Sequence, residues 1–334
     1  MRRLRLVLTC VGLLALTLPG AALASNGGIA PPAPESPNAG GIRDVYWLIL
    51  AITAAIFVLV EVALILFIVR YRSRGRPRAV EGPQVRGHTN LEIAWTIVPI
   101  LILAAITAFV FYKLPRIQNV PTASAGTGDL NVKIEAHQFY WEFIYPNGVV
   151  AVNRMRVPAG EPVRLTVVSA DVAHSWWIPS LGGKIDAIPG RTNHTWFRAE
   201  RRGSFPGQCA EFCGIQHAVM RATVEVLAPD AFRRWYSSTL RAQTQGTSNL
   251  GEETFKGVCA VCHGAQAQGF IGRKLAGNPI LSDRAALTTV LRNGRRQGFK
   301  VMPPVGATWG DRQLNATIAY LQKHFAPKGG GSGG

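Results

Sequence analysis

The stretch from residue 207 to residue 220, GQCAEFCGIQHAVM, carries two cysteines, a histidine and a methionine. Thiolate, imidazole and thioether are soft ligands, and such a set selects copper or zinc over magnesium or calcium. The spacing of Cys209, Cys213, His217 and Met220 allows one tight loop to turn all four side chains inward. The stretch is therefore predicted to hold a transition metal.

A further strong ligand must come from another segment, and the chain offers His137, His174 and His194. His174 is the best candidate because it lies in a turn-rich segment, DVAHSWWIPS, between two predicted strands. A zinc site of two cysteines and two histidines fits the spacing, but zinc rarely recruits a thioether, whereas copper electron-transfer sites use a weak methionine ligand. Since a single blue copper needs only one cysteine, two thiolates indicate two coppers bridged by both sulfurs.

A second metal-binding pattern, CAVCH, spans residues 259–263. Cys259 and Cys262 have the spacing of the two thioether bonds of a c-type haem, and His263 supplies an imidazole for the iron. Met302, in VMPPVG, stands at a distance suited to the opposite axial ligand, where a methionine raises the haem potential. A redox disulfide or a zinc pair is the alternative interpretation of the two cysteines.

Membrane segments precede both metal-binding patterns. Residues 1–24 combine early arginines, an apolar run and an AxA site, which is typical of a cleaved signal peptide, and residues 25–41 predict a flexible N-terminus. Two apolar runs within residues 42–115 are long enough to span a bilayer. The arginine-rich loop between them is predicted to be cytoplasmic by the positive-inside rule. Both ends of this hairpin are then expected on the outer side of the membrane.

The remaining sequence predicts two further domains. Residues 126–228 show short alternating or β-branched runs between turn signals, which predict an all-β sandwich or barrel. Residues 229–247 are predicted to be a linker, and residues 248–327 show the spacing of a small helical domain. Residues 328–334 form a Gly-rich tail. The net charge of +17 on an exported chain favours a membrane or an acidic protein partner over nucleic acid.

The segments DVAHSWWIPSLGGKIDAIPGR and CAEFCGIQHAVM resemble subunit II of haem-copper cytochrome c oxidases, whose cupredoxin domain holds the binuclear copper centre called CuA. The similarity extends through LEIAWTIVPILILA and HQFYWEF and covers most of residues 42–227, while the CxxCH domain resembles a class I cytochrome c, fused as in the caa(3)-type oxidases. The resemblance implies a multidomain fold. It would combine a two-helix transmembrane hairpin, an all-β cupredoxin-like Greek-key sandwich and a small all-α cytochrome c domain.

The resemblance also implies a role for each matching residue. The CuA ligands would be His174, Cys209, Cys213, His217 and Met220, with the backbone carbonyl of Glu211. The carboxylate of Glu211 would face a magnesium site shared with subunit I. Cys259, Cys262, His263 and Met302 would hold the haem.

Two other matching positions concern protons and electrons. Glu92, in LEIAWTIVP, would be the proton entrance of the K-channel, and an interfacial anchor is the plainer interpretation. Many family members read QWYWEF where this chain has Phe139 before Tyr140 and Trp141. In those members the surface tryptophan receives electrons from soluble cytochrome c, and Phe139 stands in its place here. From the resemblance, electron entry is assigned to Phe139 and Trp141.

Neither spanning run contains a histidine, so dioxygen chemistry must lie on a partner chain. The resemblance implies the electron-entry subunit of a proton-pumping cytochrome c oxidase in the bacterial inner membrane. Electrons from a cytochrome c or a cytochrome c-reducing complex would pass the c-type haem and CuA on their way to subunit I, with subunit III and the lipid bilayer as further partners. Eleven Lys and Arg against four Asp and Glu from residue 250 onward indicate an acidic donor. A CuA-type nitric oxide reductase and a non-enzymatic copper-binding protein are the alternatives.

Overall fold

The structure is a computed structural model, and it describes residues 30–72, 84, 86–121, 130–298 and 300–327. Residues 40–119 form one compact unit, and the other described residues form a second. The predicted signal peptide and the Gly-rich tail lie outside the described residues.

Two long apolar helices make up the smaller unit, α1 (Pro37–Tyr71) and α2 (Thr89–Gln118). Both are long and apolar enough to cross a bilayer, and no residue of α2 is buried. Asp44 of α1 and Lys113 of α2 form an ion pair with 2.7 Å between Oδ2 and Nζ. The predicted hairpin is confirmed, although α1 begins before residue 42 and α2 ends beyond residue 115.

The described residues at the start of α1 and just before it are ordered against the β domain, which corrects the prediction of a flexible segment over residues 25–41 for its described part, residues 30–41. The N–H of Glu35 donates to the carbonyl of Ser180 at 2.8 Å. The buried side chain of Asn38 donates to the carbonyl of Trp196 at 2.6 Å. These contacts use backbone groups, which leave no pattern in a sequence rich in Pro and Gly.

Two five-stranded sheets form the predicted β sandwich. The strands are β1 (Leu130–His137), β2 (Tyr140–Ile144), β3 (Val150–Val152), β4 (Arg154–Pro158), β5 (Val163–Ser169), β6 (His174–Trp177), β7 (Ile185–Ala187), β8 (Asn193–Phe197), β9 (Gly203–Cys209) and β10 (Arg221–Leu227). One sheet has the order β3-β2-β1-β5-β8 and the other the order β4-β10-β9-β6-β7. β1 runs parallel to β5 and β4 runs parallel to β10. The inward-facing apolar side chains of both sheets form one buried core.

The sequence did not predict β9, the strand that ends at Cys209. It contains Pro206 and Gly207, which are normally turn signals. Gly207 is required here because a Cβ at this position would lie 2.5 Å from the carbonyl oxygen of Trp177. Glycine thus allows β9 to approach the neighbouring chain closely.

Residues 229–247, predicted to be a linker, mostly form a helix that packs on the sandwich. This helix, α3 (Pro229–Thr244), buries Phe232 and places the rings of Trp235 and Tyr236 within 5.7 Å of the ring of Tyr145. The side chain of Gln243 hydrogen-bonds both backbone groups of Val150. The aromatic residues of this segment recur at helical spacing, which is typical of an amphipathic helix. The polar residues between them resemble a linker, and for that reason the helix was not predicted.

The C-terminal domain is small and helical, as predicted, with one hairpin in addition. Its elements are α4 (Leu250–Thr254), a π-helical turn (Phe255–Cys259), α5 (Ala260–His263), α6 (Arg284–Asn293), β11 (Arg295–Gln297), β12 (Lys300–Met302) and α7 (Asp311–Phe325). Its core contains Phe255, Leu291, Trp309 and Ile318. The hairpin is short and its first strand is fully exposed, so no apolar alternation marked it.

Candidate metal centres

Strand pairing brings the first group of predicted ligands together. His174 begins β6 and Cys209 ends β9, and these strands pair with Trp176 opposite Cys209. The loop that follows returns to the sheet at Met220, whose carbonyl accepts a hydrogen bond from the N–H of Cys209 at 3.0 Å. His174 and Cys209, 35 positions apart, thus meet at one end of the sandwich.

The ligand atoms form an elongated cluster. The Sγ atoms of Cys209 and Cys213 lie 4.0 Å apart. Nδ1 of His174 lies 3.8 Å from Sγ of Cys209, and Nδ1 of His217 lies 3.6 Å from Sγ of Cys213. Sδ of Met220 is 3.8 Å from Sγ of Cys213. Each of the two cysteine sulfurs therefore has one histidine ring nitrogen within 3.8 Å.

This arrangement fits two metal ions better than one. The ligand atoms of His174, Cys209 and Cys213 all lie within 4.8 Å of one another, and His217 is not among them. A tetrahedral zinc site with bonds of about 2.0–2.3 Å would need all four ligands in one compact set. Two copper ions would fit these positions, with two thiolates and two imidazoles to hold them. The thiols of Cys209 and Cys213 are free, so both sulfurs are available to a metal.

Asp171 orients the first histidine. Its Oδ1 lies 2.8 Å from Nε2 of His174, so Nε2–H donates to the carboxylate and Nδ1 is left free for a metal. Burial by itself would lower the pKa of His174, but the hydrogen bond to Asp171 raises it overall. The ring is fully buried, so its orientation is fixed on all sides.

The two thiols differ in acidity. Burial raises the pKa of Cys209, but the hydrogen bond with His174 and those with the nearby backbone outweigh it and lower that pKa to about 6. Burial and the charge of Cys209 raise the pKa of Cys213 to about 12. Cys209 is therefore the more acidic of the two thiols, and a metal that binds both sulfurs as thiolates would release protons.

Glu211 lies between the two cysteines, and its backbone carbonyl and its side chain face different surroundings. Its backbone carbonyl is 3.2 Å from Sγ of Cys209, at the ligand cluster, whereas its side chain is exposed. The neighbouring apolar side chains of Phe212 and Ile215 are 77% and 83% exposed. The loop thus presents a carboxylate and apolar groups on its outer side.

The two aromatic residues predicted to receive electrons lie in different settings. Trp141 is fully buried and its ring meets the ring of His174 edge-on, with centroids 6.1 Å apart. Phe139 is half-buried and packs on Gly214, where a Cβ would be 3.1 Å from its ring. Both residues therefore border the ligand cluster.

The CxxCH segment forms the second site. Cys259 is buried and Cys262 is half-buried, and both thiols are free. Nδ1 of His263 lies 2.6 Å from the carbonyl oxygen of Arg273, which accepts its proton and leaves Nε2 free for iron. A Cβ on Gly272 would lie 2.9 Å from the His263 ring, so only glycine fits beside it. These features suit a haem ligand held in one orientation.

Met302 ends β12 and packs against the core of the C-terminal domain. A positive φ of 71° at Gly294 and a Cβ position 2.5 Å from the Met302 carbonyl make glycine necessary there. The hairpin therefore fixes the backbone that carries the second predicted axial ligand.

Glu92 lies in the first turn of α2, where its Oε1 accepts a hydrogen bond from the N–H of His88 at 3.1 Å. The ring of His88 accepts from the N–H of Leu91 in return. This reciprocal capping is a structural role for Glu92.

Sequence reasoning missed one cluster of buried ionisable groups in the sandwich. His137 Nε2 lies 3.3 Å from a carboxylate oxygen of Glu135 and 3.7 Å from one of Glu142. All three side chains are buried. Alternation along β1 and β2 could have placed Glu135 and Glu142 on one face, but glutamates in strands are ordinarily assigned to solvent.

Comparisons with known proteins agree with this geometry. Residues 147–227 match the family described as cytochrome c oxidase subunit II, periplasmic domain, and residues 24–113 match the transmembrane domain of the same subunit. Residues 247–321 match the family described as cytochrome c oxidase, cbb3-type, subunit III.

Individual relatives carry the same name. Cytochrome c oxidase subunit 2 of Alkalihalophilus pseudofirmus is 36% identical over 86% of this chain and 89% of its own length. Cytochrome c oxidase subunit 2 of Cereibacter sphaeroides is 34% identical over 74% of this chain and 94% of its own. The crystal structure of the periplasmic domain of subunit II of cytochrome oxidase from Bradyrhizobium japonicum is 36% identical, with a TM-score of 0.34, over 36% of this chain and 97% of that one.

These matches cover the hairpin, the sandwich and the C-terminal domain, and they imply CuA copper in the sandwich and haem c in the last domain. They also identify a two-pass membrane protein that works with other oxidase subunits. The chain belongs to the cytochrome c oxidase subunit II family and is the electron-entry subunit of a haem-copper oxidase.

Proposed function

We propose that this subunit serves a proton-pumping cytochrome c oxidase and holds its copper pair through six residues: His174, Cys209, Glu211, Cys213, His217 and Met220. Glu211 contributes its backbone carbonyl and the others their side chains. The observation that carries the proposal is a pair of sulfurs 4.0 Å apart, each with its own imidazole. When bound, the copper pair and a c-type haem would each supply reversible storage of one electron.

The surrounding residues hold this ligand set rigid. Pairing of β6 with β9 fixes His174 relative to Cys209, and the hydrogen bond from Cys209 to Met220 closes the loop. Asp171 fixes the tautomer of His174. Because both sulfurs are buried, water is kept from them. A site that cannot relax keeps its geometry when the charge on it changes.

In the C-terminal domain, Cys259 and Cys262 would form the two thioether bonds, and Nε2 of His263 and Sδ of Met302 would hold the haem iron. The Arg273 carbonyl supports this assignment because it takes the other ring proton of the histidine. The buried position of Cys259 against the domain core supports a covalently anchored haem.

The outer side of the copper loop is proposed to face subunit I. The exposed carboxylate of Glu211 would reach a magnesium site shared with that subunit, and the exposed side chains of Phe212 and Ile215 would pack against it. Phe139 and Trp141, which border the ligand cluster, would lie on the path by which electrons enter. Under these assignments, electrons leave this subunit toward subunit I at the loop that follows Cys209.

The membrane hairpin is proposed to lie in the bacterial inner membrane beside subunits I and III, with both metal-binding domains on the periplasmic side. The arginine-rich loop between the two helices supports this orientation. Glu92, at the loop end of α2, would be the proton entrance in addition to its capping contact.

The external donor is proposed to be an acidic cytochrome c or a cytochrome c-reducing complex. Phe270, Ile271 and Val301 form exposed apolar positions on the C-terminal domain, which carries a large excess of basic residues. Turnover should fall as ionic strength rises, because salt screens such attraction. Turnover that does not depend on ionic strength would contradict an acidic donor.

The metal assignments are tested by spectroscopy of the purified oxidase. The wild type should show a c-haem optical band and the electron paramagnetic resonance pattern of two coupled coppers. Cys209→Ser should lose the copper pattern and keep the haem band, while the double variant Cys259→Ser, Cys262→Ser should do the reverse. His194→Ala, which changes a histidine outside both sites, is the control that keeps both. A wild type that lacks both signals would refute the proposal.

A further inference from the structure

The C-terminal domain packs directly against the sandwich, and Tyr140 lies at the centre of that contact. Tyr140 belongs to β2 but is fully buried in the core cluster of the C-terminal domain. Its hydroxyl donates to the carbonyl of Val305 at 2.7 Å and accepts from Nε1 of Trp309 at 2.8 Å. One side chain of the sandwich thus satisfies two buried polar groups of the other domain.

This contact lies between the two proposed metal sites. Val305 follows Met302 by three residues in the same loop. A cavity of about 50 Å³ next to the contact is lined by Pro303 and Val305 from the C-terminal domain and by His137 and Asp171 from the sandwich. Asp171 is the residue that orients His174. The loop that carries one proposed haem ligand therefore faces the turn that orients one proposed copper ligand.

Asn153 forms a second fixed point of the same contact. It has a φ of 58°, and both its N–H and its Oδ1 hydrogen-bond the backbone of Trp141 at 2.8 Å. Its Nδ2 donates to the carbonyl of Gly257 at 3.0 Å, two residues before Cys259. Trp141 in turn contacts the ring of His174. This chain of contacts joins the CxxCH segment to a copper ligand.

We propose that Tyr140 is the positioning residue for electron transfer from the fused cytochrome c domain to the copper centre, with Asn153 as the second anchor. The inference rests on the metal sites of the proposed function. Phe139, the neighbour that aligns with the surface tryptophan of other members, packs on Gly214 of the copper loop. The tethered donor therefore docks beside that position and not on it.

The contact between the domains serves to fix the distance over which an electron is transferred. In each transfer one electron leaves the C-terminal domain, which is oxidised, and reaches the copper domain, which is reduced. No covalent bond forms or breaks. A fixed and short separation between the domains is what Tyr140 and Asn153 must provide.

Tyr140→Phe tests the inference, because it removes the hydroxyl and keeps the ring. Tyr145→Phe is a matched control, since Tyr145 is also fully buried and its hydroxyl also makes two hydrogen bonds, both with Arg156 inside the sandwich. In the purified oxidase, the rate of electron transfer from haem to copper after flash photoreduction should fall about tenfold in Tyr140→Phe. The reason is that loss of the two hydrogen bonds of the hydroxyl weakens the contact between the domains by about 1.4 kcal/mol. It should not change in Tyr145→Phe.

Two further measurements separate positioning from simple damage. Reduction of the haem by an external donor, the haem spectrum and the copper spectrum should be unchanged in Tyr140→Phe. Hydrogen exchange of the amides in residues 305–309 should become about tenfold faster, since the carbonyl of Val305 and the indole of Trp309 lose their buried partner. This second readout does not depend on turnover.

Asn153→Gly provides an independent variant if Tyr140→Phe does not assemble, because glycine keeps the positive φ and removes only the side chain. It should slow internal transfer in the same way. Wild-type transfer and exchange rates in either variant, with both metal spectra intact, would overturn the inference alone. Absence of the metal spectra in the wild type would overturn the proposed function as well, so the two failures are distinguishable.

Discussion

Glu142 is expected to make the sandwich less stable as the pH rises, and Glu142→Gln should remove that dependence. The side chain is 3% exposed and its Oε2 has no hydrogen-bond partner among the described residues. Burial, and then the charge of Glu135, raise the pKa of Glu142 from 4.5 to about 8. Between these pH values the unfolded chain has released a proton that the folded chain keeps, so stability falls with rising pH.

The magnitude follows from the difference between the two pKa values. At about 1.4 kcal/mol per pH unit, the loss between pH 4.5 and pH 8 amounts to about 5 kcal/mol. The glutamine that replaces Glu142 would have no proton to release, so the variant should match the wild type near pH 4.5 and exceed it increasingly toward pH 8.

Denaturant unfolding of the purified protein at several pH values measures this difference, with the buried Trp141 and Trp176 as fluorescent reporters. Glu135→Gln is the control with the opposite sign. Burial would raise the pKa of Glu135, but hydrogen bonds from His137 and Lys133 outweigh it and lower that pKa to about 2. Its stabilisation is present above pH 4.5 and lost toward pH 2, so this variant should be less stable at neutral pH. Equal offsets between Glu142→Gln and wild type at about pH 5 and about pH 8 would refute the reasoning.

Three further substitutions test packing and haem orientation. Gly257→Ala should loosen the domain contact, since its Cβ would lie 2.7 Å from Cγ1 of Val152, and limited proteolysis between the domains should become faster. Gly272→Ala should displace the ring of His263, whose atoms would lie 2.9 Å from the new Cβ, and should alter the haem optical spectrum. Phe232→Ala should destabilise the sandwich by about 3–5 kcal/mol through the cavity it leaves under α3, measured by denaturant unfolding.

Each glycine substitution has a control at a site with free space. A Cβ on Gly160 or Gly246 would meet nothing within 4 Å, and because both have positive φ, alanine there introduces backbone strain without a close contact. If Gly257→Ala or Gly272→Ala behaves like Gly160→Ala, close packing at these sites is not the cause. A loss well below about 1 kcal/mol in Phe232→Ala would show that α3 is not held by its buried ring.

The proposed ligand residues could be selected from the sequence because their chemistry is local. Four of the proposed side-chain ligands of the copper pair fall within twelve positions, between Cys209 and Met220, and the proposed haem residues Cys259, Cys262 and His263 fall within five. His174 was predicted as a ligand from its turn-rich setting, and the structure places it at the start of a strand. Residue type and spacing were enough to name the groups, and strand pairing then brought them together.

The relation between the domains could not be predicted in the same way. Tyr140 looks like an ordinary strand aromatic, and nothing in its sequence neighbourhood indicates that its partners are Val305 and Trp309, more than 160 positions later. The helix over residues 229–244 was missed although its aromatic spacing was visible. Long-range contacts depend on surface complementarity, which a residue pattern does not encode.

The pairing of β6 with β9 has a consequence for assembly. Four of the proposed side-chain ligands of the copper pair lie in one loop, but the fifth, His174, joins them only after these two strands have paired across 35 residues. The unfolded chain therefore lacks a complete copper-binding site, and metal that binds the native state alone adds its binding free energy to folding. Loss of copper and unfolding of this end of the sandwich are for that reason one coupled equilibrium, in which the concentration of free copper acts as a determinant of stability.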